Sequence, residues 1–356
     1  MTNNSKLFIG FITYGGSTAK YLPYFLDSLK KQTFLDFKII AFDNSELEKN
    51  ENKNFMAKNY PEIELQRAES NIGFARGFNI LINTSIKAGA EYFLALNPDT
   101  ILEPDFVENI LKTISQDEKI GAIAPKILKW DFNGNKKIPL RPEYGTTEGQ
   151  AKIIDSTGIF ITKEHRFSDL NQGEKDDGIK FQNKKEVFGF TGAAVLFRLK
   201  ALQDVGYKNN SSQEFFDELM FMYKEDADLS YRLRLAGWKI IYEPEAVIYH
   251  DRAASPLGDS NRQIVKNRKN KSAQIKKWSY LNHWILILKY FHIPFSRRVK
   301  LAICWYQLKS FGYAVIFEPF LIKQLFLLWE IRKDIRKKRD ELVVRVGVKG
   351  IEKFME

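Results

Sequence analysis

The chain has 356 residues, which fits one large domain with an appended region better than three independent domains. Its composition, 44% hydrophobic, 28% charged and 14% aromatic, excludes a disordered or fibrous protein. The formal net charge of +11 is uneven: residues 261–356 hold 22 Lys and Arg against 7 Asp and Glu, which leaves −4 for residues 1–260. The single cysteine, Cys304, excludes an internal disulfide, and we expect it to be a buried apolar side chain.

From the N-terminus, strand-like and helix-like segments alternate. Runs rich in β-branched and aromatic residues predict strands, and apolar residues spaced by three or four predict helices. The predicted strands are 7–14, 37–44, 63–68, 91–96 and 120–128, and the predicted helices are 21–32 and 74–89. This alternation predicts an α/β fold whose mostly parallel central sheet is covered by helices on both faces. Such sheets bind ligands at the carboxyl ends of their strands.

The composition of the sequence changes after residue 130. Residues 131–185 are polar and highly charged, and predict an irregular insertion. A strand is predicted again over 186–198, and a helix begins near Glu225 and ends at a glycine. Residues 238–250 predict one or two closing strands.

The basic C-terminal region, 261–356, mixes cations with bulky apolar residues, most clearly over 278–298 and 317–339. This pattern is typical of amphipathic helices at an anionic membrane surface. Nucleic acid is a weaker candidate, because its sites seldom need so much Leu, Ile, Phe and Trp. A helical subdomain packed on the body, or a dimerisation element, would explain the pattern equally well. No transmembrane helix is expected, since no stretch reaches the roughly 18 to 20 uninterrupted apolar residues that span a bilayer.

Polar side chains and close-approach glycines follow four of the predicted strands. A turn would explain Asp43 and Asn44, and helix capping or packing would explain Gly73 and Gly77, so each is weak evidence alone. Together they predict a ligand site at one edge of the sheet. The residues are Thr13, Tyr14, Asp43, Asn44, Asn71, Gly73, Phe74, Arg76, Gly77, Asn79, Asn97 and Asp99.

Four ionisable residues are candidates for chemistry. Asp99 follows a buried strand and an Asn-Pro turn, where a carboxylate suits Mg²⁺ or Mn²⁺. Glu225 and Asp226 open a helix after an apolar segment; they either complement the helix dipole or provide a general base. His250 ends the closing strand and is either structural or a ligand for a metal or diphosphate.

Several motifs in order resemble a family 2 glycosyltransferase over about residues 6–280. They are FITYGG, FDNS, NIGFARGFN, ALNPDT, DSTGIFIT, FTGAAVLFR, FDELMFMYKEDADLSYRL, AGWKIIYEPEAVIYH and RNKSAQIKKW. NIGFARGFN with NPD and GAA is most similar to rhamnosyltransferase-like members, relatives of the galactofuranosyltransferases. The resemblance implies the GT-A fold, in which a Rossmann-like sheet binds a nucleotide-sugar donor, and an inverting sugar transfer that uses a divalent metal, Mg²⁺ or Mn²⁺.

The resemblance also implies roles for individual residues. Asp43 would contact the base or ribose, and Asp226, beside Glu225, would be the general base. Asp99 and His250 would bind the metal, although Asn97 replaces the first aspartate of the family's DxD-type motif. The twelve polar, aromatic and glycine residues at the strand ends would line the donor site. Gly192, Ala193 and Ala194 would border the acceptor and the donor sugar.

On this resemblance, residues 1–260 would form the catalytic domain, with a nucleotide-binding half over 1–130 and an acceptor half over 131–260, followed by a helical tail over 261–356. Rhamnose from dTDP-rhamnose is the first expected donor, ahead of UDP-galactofuranose, UDP-glucose and UDP-N-acetylglucosamine. The expected acceptor is a saccharide, possibly lipid-linked, in cell-surface polysaccharide synthesis. The enzyme would be cytoplasmic, peripheral on the inner face of the cell membrane, without a nucleic-acid partner, and a homodimer through its C-terminal helices is open.

Two other functions stay open on the sequence alone. A sugar-phosphate nucleotidyltransferase would share the sheet, although a Gly-rich basic loop is not evident directly after the first strand. A non-catalytic nucleotide-sugar-binding membrane adaptor would share the basic tail, but it would not need Asp99, Asp226 and His250.

Overall fold

The computed structural model describes residues 5–47, 50–130, 132, 152–208, 212–252, 268 and 271–355. The strands are β1 (Leu7–Thr13), β2 (Phe37–Asp43), β3 (Glu64–Arg67), β4 (Tyr92–Leu96), β5 (Thr100–Leu102), β6 (Ile120–Lys129), β7 (Ile154–Ser156), β8 (Ile159–Ile161), β9 (Phe167–Asp169), β10 (Lys185–Glu186), β11 (Ala194–Arg198), β12 (Tyr207–Lys208), β13 (Gln213–Glu214) and β14 (Lys239–His250). The helices are α1 (Gly15–Ala19), α2 (Leu22–Lys30), α3 (Glu51–Asn59), α4 (Gly73–Lys87), α5 (Phe106–Ile114), α6 (Leu199–Val205), α7 (Glu225–Leu235), α8 (Ala273–Tyr290), α9 (Arg297–Phe317), α10 (Lys323–Glu330), α11 (Arg332–Asp340) and α12 (Val348–Glu352).

A central sheet has the strand order β10-β14-β6-β11-β4-β1-β2-β3. Strands β4, β1, β2 and β3 are parallel neighbours, and β6 is parallel to β14. Strand β11 runs antiparallel to both of its neighbours, β4 and β6. The sheet is therefore mixed, and its parallel half brings the carboxyl ends of β1, β2 and β4 to one edge.

Apolar residues cover both faces of this sheet. In β1, Ile9 and Phe11 pack with α2 and α5 on one face, whereas Phe8 packs with Phe78 and Leu81 of α4 on the other. Alternate residues of a strand point to opposite faces, so a strand with two covered faces is apolar throughout. This explains the continuous apolar runs in the sequence.

The strand predicted over 186–198 is shorter in the structure. Only Ala194–Arg198 forms β11, and the preceding segment turns against α7 instead of pairing with a strand along its length. A Cβ atom at Gly189 would lie 2.5 Å from the Ser230 hydroxyl, and that hydroxyl accepts a hydrogen bond of 3.3 Å from the Phe190 backbone N–H. This close approach brings the next residues to the start of α7.

The described part of the predicted insertion, 152–185, contains β7, β8 and β9 and is more regular than expected. Strand β7 pairs with β6, and β8 pairs with β9. Residues 131 and 133–151 of the insertion lie outside the described residues, as does the predicted boundary between residues 260 and 261. The division into domains and halves stays a prediction.

Helix α8 packs into the body of the protein. Tyr290 stacks on Tyr231 of α7 at a ring distance of 4.0 Å and an interplanar angle of 7°. The ammonium of Lys289 is buried between Asp217 and Asp228 and forms ion pairs with both. Helix α8 therefore shares a core with α7.

Helices α9 and α10 expose many apolar side chains. We call six of them the exposed apolar face: Leu301, Trp305, Leu308, Ile316, Phe326 and Trp329. Among the described helices, none alone is long and apolar enough to cross a membrane. Helix α9 and the segment Pro319–Glu330, which meet at 117°, reach that length and apolarity only when taken together as a bent pair. Cys304 is exposed on α9, so the expectation that it is buried is wrong.

Candidate active site

Asp99 and His250 lie side by side although they are far apart in the chain. Strand β5 pairs antiparallel with β14 so that Thr100 is opposite His250, which places the preceding Asp99 beside the imidazole. The distance from Asp99 Oδ2 to His250 Nε2 is 3.5 Å. His250 Nδ1 donates to Asp155 Oδ2 at 2.9 Å, which fixes the orientation of the ring.

This cluster attracts positive charge. Burial lowers the pKa of His250, but the charge of Asp99 and the hydrogen bond to Asp155 outweigh burial and raise the pKa to about 9. Asp99 Oδ1 is buried and, among the described residues, has no hydrogen-bond partner. Near neutral pH the imidazolium itself supplies a positive charge beside Asp99. A divalent cation would fit the same place by displacing the Nε2 proton, because a ligating histidine must be neutral.

The described residues include no group of three or more His, Cys, Asp or Glu side chains that could hold a metal by themselves. Asp99 and His250 supply two positions. A divalent ion there would need further oxygen ligands, which the phosphates of a donor and water provide in many Mg²⁺ sites.

Asp226 is held at the start of α7 by two backbone donors. The N–H of Gly192 donates to Oδ2 at 3.1 Å, and the N–H of Ala227 donates to Oδ1 at 2.7 Å. Burial raises the pKa of Asp226, and the two backbone hydrogen bonds offset only part of this effect. A carboxylate with a raised pKa is a better proton acceptor near neutral pH.

A chain of hydrogen bonds and an electrostatic interaction connect Asp226 to the Asp99 cluster. The N–H of Asn97 donates to the carbonyl of Ala193 at 2.9 Å, next to the Gly192 that holds Asp226. Ala194, which follows, is fully buried in β11. The segment 192–194 therefore connects Asp226 to the end of β4.

The second connection runs through Arg252, which the sequence analysis did not single out. Its guanidinium lies 2.7 Å from Asp169 and 3.5 Å from Asp155, and its charge lowers the pKa of Asp226. Asp155 is in turn the partner of His250. The motif DSTGIFIT, which begins with Asp155, was the available signal for this buried acid.

Glu225 differs from Asp226. Its side chain is buried, its Oε2 has no partner among the described residues, and burial raises its pKa well above the usual value. The next acid, Asp228, pairs with Arg232 and Lys289 in the core. Of the three acids that open α7, Asp226 is therefore the one held on the Gly192 side of the helix.

The segment before α7 has an unusual backbone. Tyr223 and Lys224 have φ angles of 74° and 71°, in the left-handed region that non-glycine residues rarely adopt. The Asn282 amide on α8 donates to the carbonyls of Met222 at 2.9 Å and Tyr223 at 2.7 Å. A side chain of the C-terminal region thus holds the residues that lead into Glu225.

At the end of β2, Asp43 organises the loop. It accepts hydrogen bonds from the hydroxyl of Thr13 at 2.9 Å and the amide of Asn50 at 2.7 Å, and Ser45 donates to it as well. Asp43 Oδ1 is saturated by contacts within the protein, whereas Oδ2 accepts one hydrogen bond among the described residues and has a second acceptor site for a base or ribose. Tyr14, the next residue after β1, is 43% exposed.

Asn44 joins this loop to the start of α4. Its amide donates to the carbonyl of Gly73 at 3.0 Å, and its oxygen accepts from the N–H of Ile72 at 3.2 Å. Asn71 Oδ1 accepts from the N–H of Gly73 at 2.9 Å. Gly73 has a φ of 85°, and a Cβ atom there would lie 2.5 Å from the carbonyl oxygen of Phe221, so only glycine fits.

The remaining α4 residues have different roles. Phe74 lies near Gly192, where an added Cβ would come within 3.1 Å of its ring, whereas Gly77 allows α4 to pack on Ile12 of β1. Arg76 is exposed and forms an ion pair with Glu218, which is not one of the candidate site residues. The Asn79 side chain is buried and is fully used by the segment Phe216–Glu218 and the N–H of Phe215. Packing explains Gly77, and hydrogen bonds within the protein explain Asn79. These contacts therefore give no support for a contact of either residue with the nucleotide-sugar donor.

Residues 16–270 match the family described as glycosyltransferase like family 2. The chain belongs to this family. It is therefore a glycosyltransferase, and inversion at the sugar carbon is typical of the family.

The chain is similar to two kinds of curated enzyme. It is 25% identical over 267 residues to N-acetylglucosaminyl-diphospho-decaprenol L-rhamnosyltransferase of Mycobacterium tuberculosis. The matched region covers 73% of this chain and 80% of the relative. It is 23% identical over 233 residues to poly-beta-1,6-N-acetyl-D-glucosamine synthase of Staphylococcus aureus, which covers 65% of this chain but only 45% of that relative.

Among solved structures, the chain is similar to GalNAc-T7, determined with UDP, GalNAc and Mn²⁺. The TM-score is 0.51 at 12% identity, over 89% of this chain and 58% of that chain. This likeness confirms the GT-A fold that the sequence predicts. The family match favours sugar transfer over both the nucleotidyltransferase and the adaptor alternatives.

Proposed function

We propose that this glycosyltransferase moves a sugar from a nucleotide diphosphate donor to a lipid-linked saccharide, with Asp226 as the general base. The observation that carries the proposal is the position of Asp226: backbone N–H groups hold it, and the segment 192–194 connects it to Asp99 and His250. The named activity of the mycobacterial relative makes dTDP-rhamnose the first donor to test. That relative's name also supports a diphosphate-linked lipid acceptor in polysaccharide synthesis.

The reaction is a single displacement. Asp226 accepts the proton of an acceptor hydroxyl, and that oxygen forms a bond to the anomeric carbon of the donor. The bond from this carbon to the diphosphate breaks, its electron pair leaves with the nucleoside diphosphate, and the anomeric centre inverts. Gly192 and Ala227 keep the Asp226 carboxylate in one orientation, so that it faces the hydroxyl throughout.

Asp99 and His250 would hold a divalent metal, Mg²⁺ or Mn²⁺, in this proposal. The unpartnered Oδ1 of Asp99 fits that role, and Asp155 orients the imidazole. When bound, such an ion would neutralise charge on the departing diphosphate. The loop built by Asp43, Asn44 and Asn71 would hold the nucleotide side of the donor.

The experiment that tests the base uses Asp226→Asn in the full chain. This variant keeps the size of the side chain but removes its basicity, and its single amide oxygen can accept only one of the two backbone hydrogen bonds. Donor binding should persist while turnover falls by about two to four orders of magnitude. Nucleoside diphosphate release is measured with Mn²⁺ and dTDP-rhamnose, UDP-galactofuranose, UDP-glucose or UDP-N-acetylglucosamine. Asp334→Asn, at an exposed acid of α11, is the matched control. Turnover by Asp226→Asn near that of the control would refute the assignment.

We also propose that the exposed apolar face rests on the inner leaflet of the cell membrane, which would make the enzyme peripheral and cytoplasmic. Leu301, Trp305 and Leu308 share one side of α9. Cations flank the face: Lys309 lies 5.7 Å from the ring centre of Trp305, and Arg332 lies 3.9 Å from that of Trp329. Apolar side chains beside cations suit an anionic lipid surface.

Sedimentation with vesicles tests this surface. The full chain should bind vesicles that contain anionic phosphatidylglycerol and not pure phosphatidylcholine, and a Trp305→Ser, Phe326→Ser double variant should lose the binding. Ile179→Ser, at a residue that is 78% exposed and away from the C-terminal helices, is the control. If the double variant instead halves the mass of a dimer and leaves sedimentation unchanged, the face is a homodimer interface.

A further inference from the structure

A cavity of about 390 Å³ lies between the segment before α7 and two C-terminal helices. Phe221 and Trp278 form part of its wall and stack on each other, with ring centres 5.0 Å apart and an interplanar angle of 24°. Leu327 of α10 adds an apolar side. The volume is in the range of small-molecule sites, which combine apolar walls with a few polar groups.

The polar groups of this cavity are unused. Gln274, Lys277 and Gln324 border it, and none of these side chains has a hydrogen-bond or ion-pair partner in the part of the chain that the structure describes. A cation and two amides at the border of a cavity with apolar walls suit a ligand with negative charge and hydroxyl or amide groups.

The cavity shares its walls with the candidate active site. The carbonyl of Phe221 accepts a hydrogen bond of 3.0 Å from the N–H of Phe74, whose ring lies near Gly192. On another side, Asn282 borders the cavity and holds the backbone that leads into α7. The Phe221 wall of the cavity is therefore linked through Phe74 and Gly192 to the Asp226 carboxylate.

The cavity also adjoins the exposed apolar face. Gln324 and Leu327 lie on the helix that carries Phe326 and Trp329, which are 71% and 66% exposed. A ligand anchored by a lipid at that face would pass this cavity on its way to the base. Lys277 would meet a phosphate on such a ligand, and the amides would meet a sugar.

We propose that this cavity binds the acceptor at the junction between its sugar and its lipid, and that the ligand class is a saccharide joined to a lipid by a diphosphate. The inference rests on the proposed function, because it assumes a lipid-linked acceptor. The lipid lies toward α10, the diphosphate meets Lys277, and the sugar lies toward the wall formed by Phe221.

Binding is measured by titration calorimetry on the full chain, without turnover. The probe is N-acetylglucosamine joined through a diphosphate to a short alkyl chain, and the competitors are inorganic pyrophosphate, free N-acetylglucosamine, UDP and dTDP. We expect the probe to bind, neither nucleotide to displace it, and Lys277→Met and Gln324→Leu each to weaken it at least tenfold. Lys333→Met, at an exposed lysine of α11, is the matched control and should bind the probe like the unaltered chain.

Several results would overturn the proposal. Equal affinity of the two cavity variants and the control would show that the probe binds elsewhere, as would displacement by UDP or dTDP. Pyrophosphate that binds as tightly as the probe would reduce the cavity to a phosphate site. A different result would reject only the proposed function. If the two variants bind the probe more weakly but the unaltered chain releases no nucleoside diphosphate from any donor, the cavity still binds this ligand and the chain does not transfer these sugars.

Discussion

The buried lysine of α8 offers a sharp test of how the C-terminal region is attached. Lys289 is fully buried, 2.7 Å from Asp217 and in contact with Asp228. Lys338, Arg232 and Glu214 complete a cluster of three cations and three acids, so that the removal of one lysine leaves a surplus negative charge inside the protein. Lys289→Met keeps an unbranched apolar side chain there and removes the charge and the hydrogen bonds that the ammonium donates to Asp217 and Asp228.

The expected loss of stability is large. The breaking of a buried ion pair by removal of one partner costs about 3–5 kcal/mol. With an unfolding entropy of about 2.1 cal/mol/K per residue, or about 0.75 kcal/mol/K for 356 residues, the melting temperature should fall by about 4–7 °C. Lys6→Met is the matched control, because Lys6 pairs with Glu91 at 2.7 Å but its side chain is 71% exposed. An exposed pair contributes about 0–1 kcal/mol.

The assay is thermal unfolding followed by circular dichroism, repeated at several pH values. Burial raises the pKa of Asp217, but the charges of Lys289 and Lys338 outweigh burial and lower it below the ordinary value. Its contribution to stability is therefore present above about pH 4 and is lost as the pH falls. In the variant the carboxylate can take up a proton, so the difference from the unaltered chain should shrink in acid. Equal melting temperatures for Lys289→Met and Lys6→Met at neutral pH would refute the buried cluster and the docking of α8 through it.

Three further predictions concern the site. Asn282→Ala removes two hydrogen bonds that hold the strained segment before α7, so kcat should fall at least tenfold in steady-state kinetics while the donor KM changes little; an unchanged kcat would contradict this positioning role. Gly73→Ala should lower the free energy of unfolding by about 1–3 kcal/mol in denaturant titration, because its Cβ would meet the carbonyl of Phe221, whereas Gly312→Ala, with open space around it, should cause no loss. Because burial raises the pKa of Asp226, kcat/KM should decline as the pH falls through a value above the ordinary Asp pKa of about 3.9, and a rate independent of pH down to that value would argue against Asp226 as base.

The sequence predicts the parallel half of the fold well, because its information is local. The apolar run of β1 and the periodicity of α4 are each contained in one short segment, and polar residues directly after β2 and β4 mark the edge where the site lies. Even the proximity of Asp99 and His250 can be predicted from the sequence, because each residue ends or follows a strand of one sheet. The antiparallel direction of β11 cannot be predicted from the sequence, since its apolar pattern is the same in either direction.

The contacts between the insertion, the C-terminal helices and the site could not be predicted in this way. Asp155 is an acid in a polar segment, and only the fold shows that it is buried against His250 and Arg252. The pattern of α8 resembles that of a surface helix because it contains lysines. Lys289 is nevertheless buried, since its partners come from segments distant in sequence, and Asn282 holds backbone whose strain is visible only in three dimensions.

Helix α8 links the exposed apolar face to the segment that leads into Asp226, and this limits which experiments can separate the proposed membrane binding from catalysis. Deletion of residues 281–356 would remove Asn282 and Lys289 together with the exposed apolar face, so lost vesicle binding and lost turnover would both follow from a damaged core. Substitutions confined to Trp305 and Phe326 leave those buried contacts in place. If such substitutions abolish vesicle binding and lower transfer only to a lipid-linked acceptor, while cleavage of the donor in water continues, the membrane serves to deliver the acceptor and the catalytic site is intact.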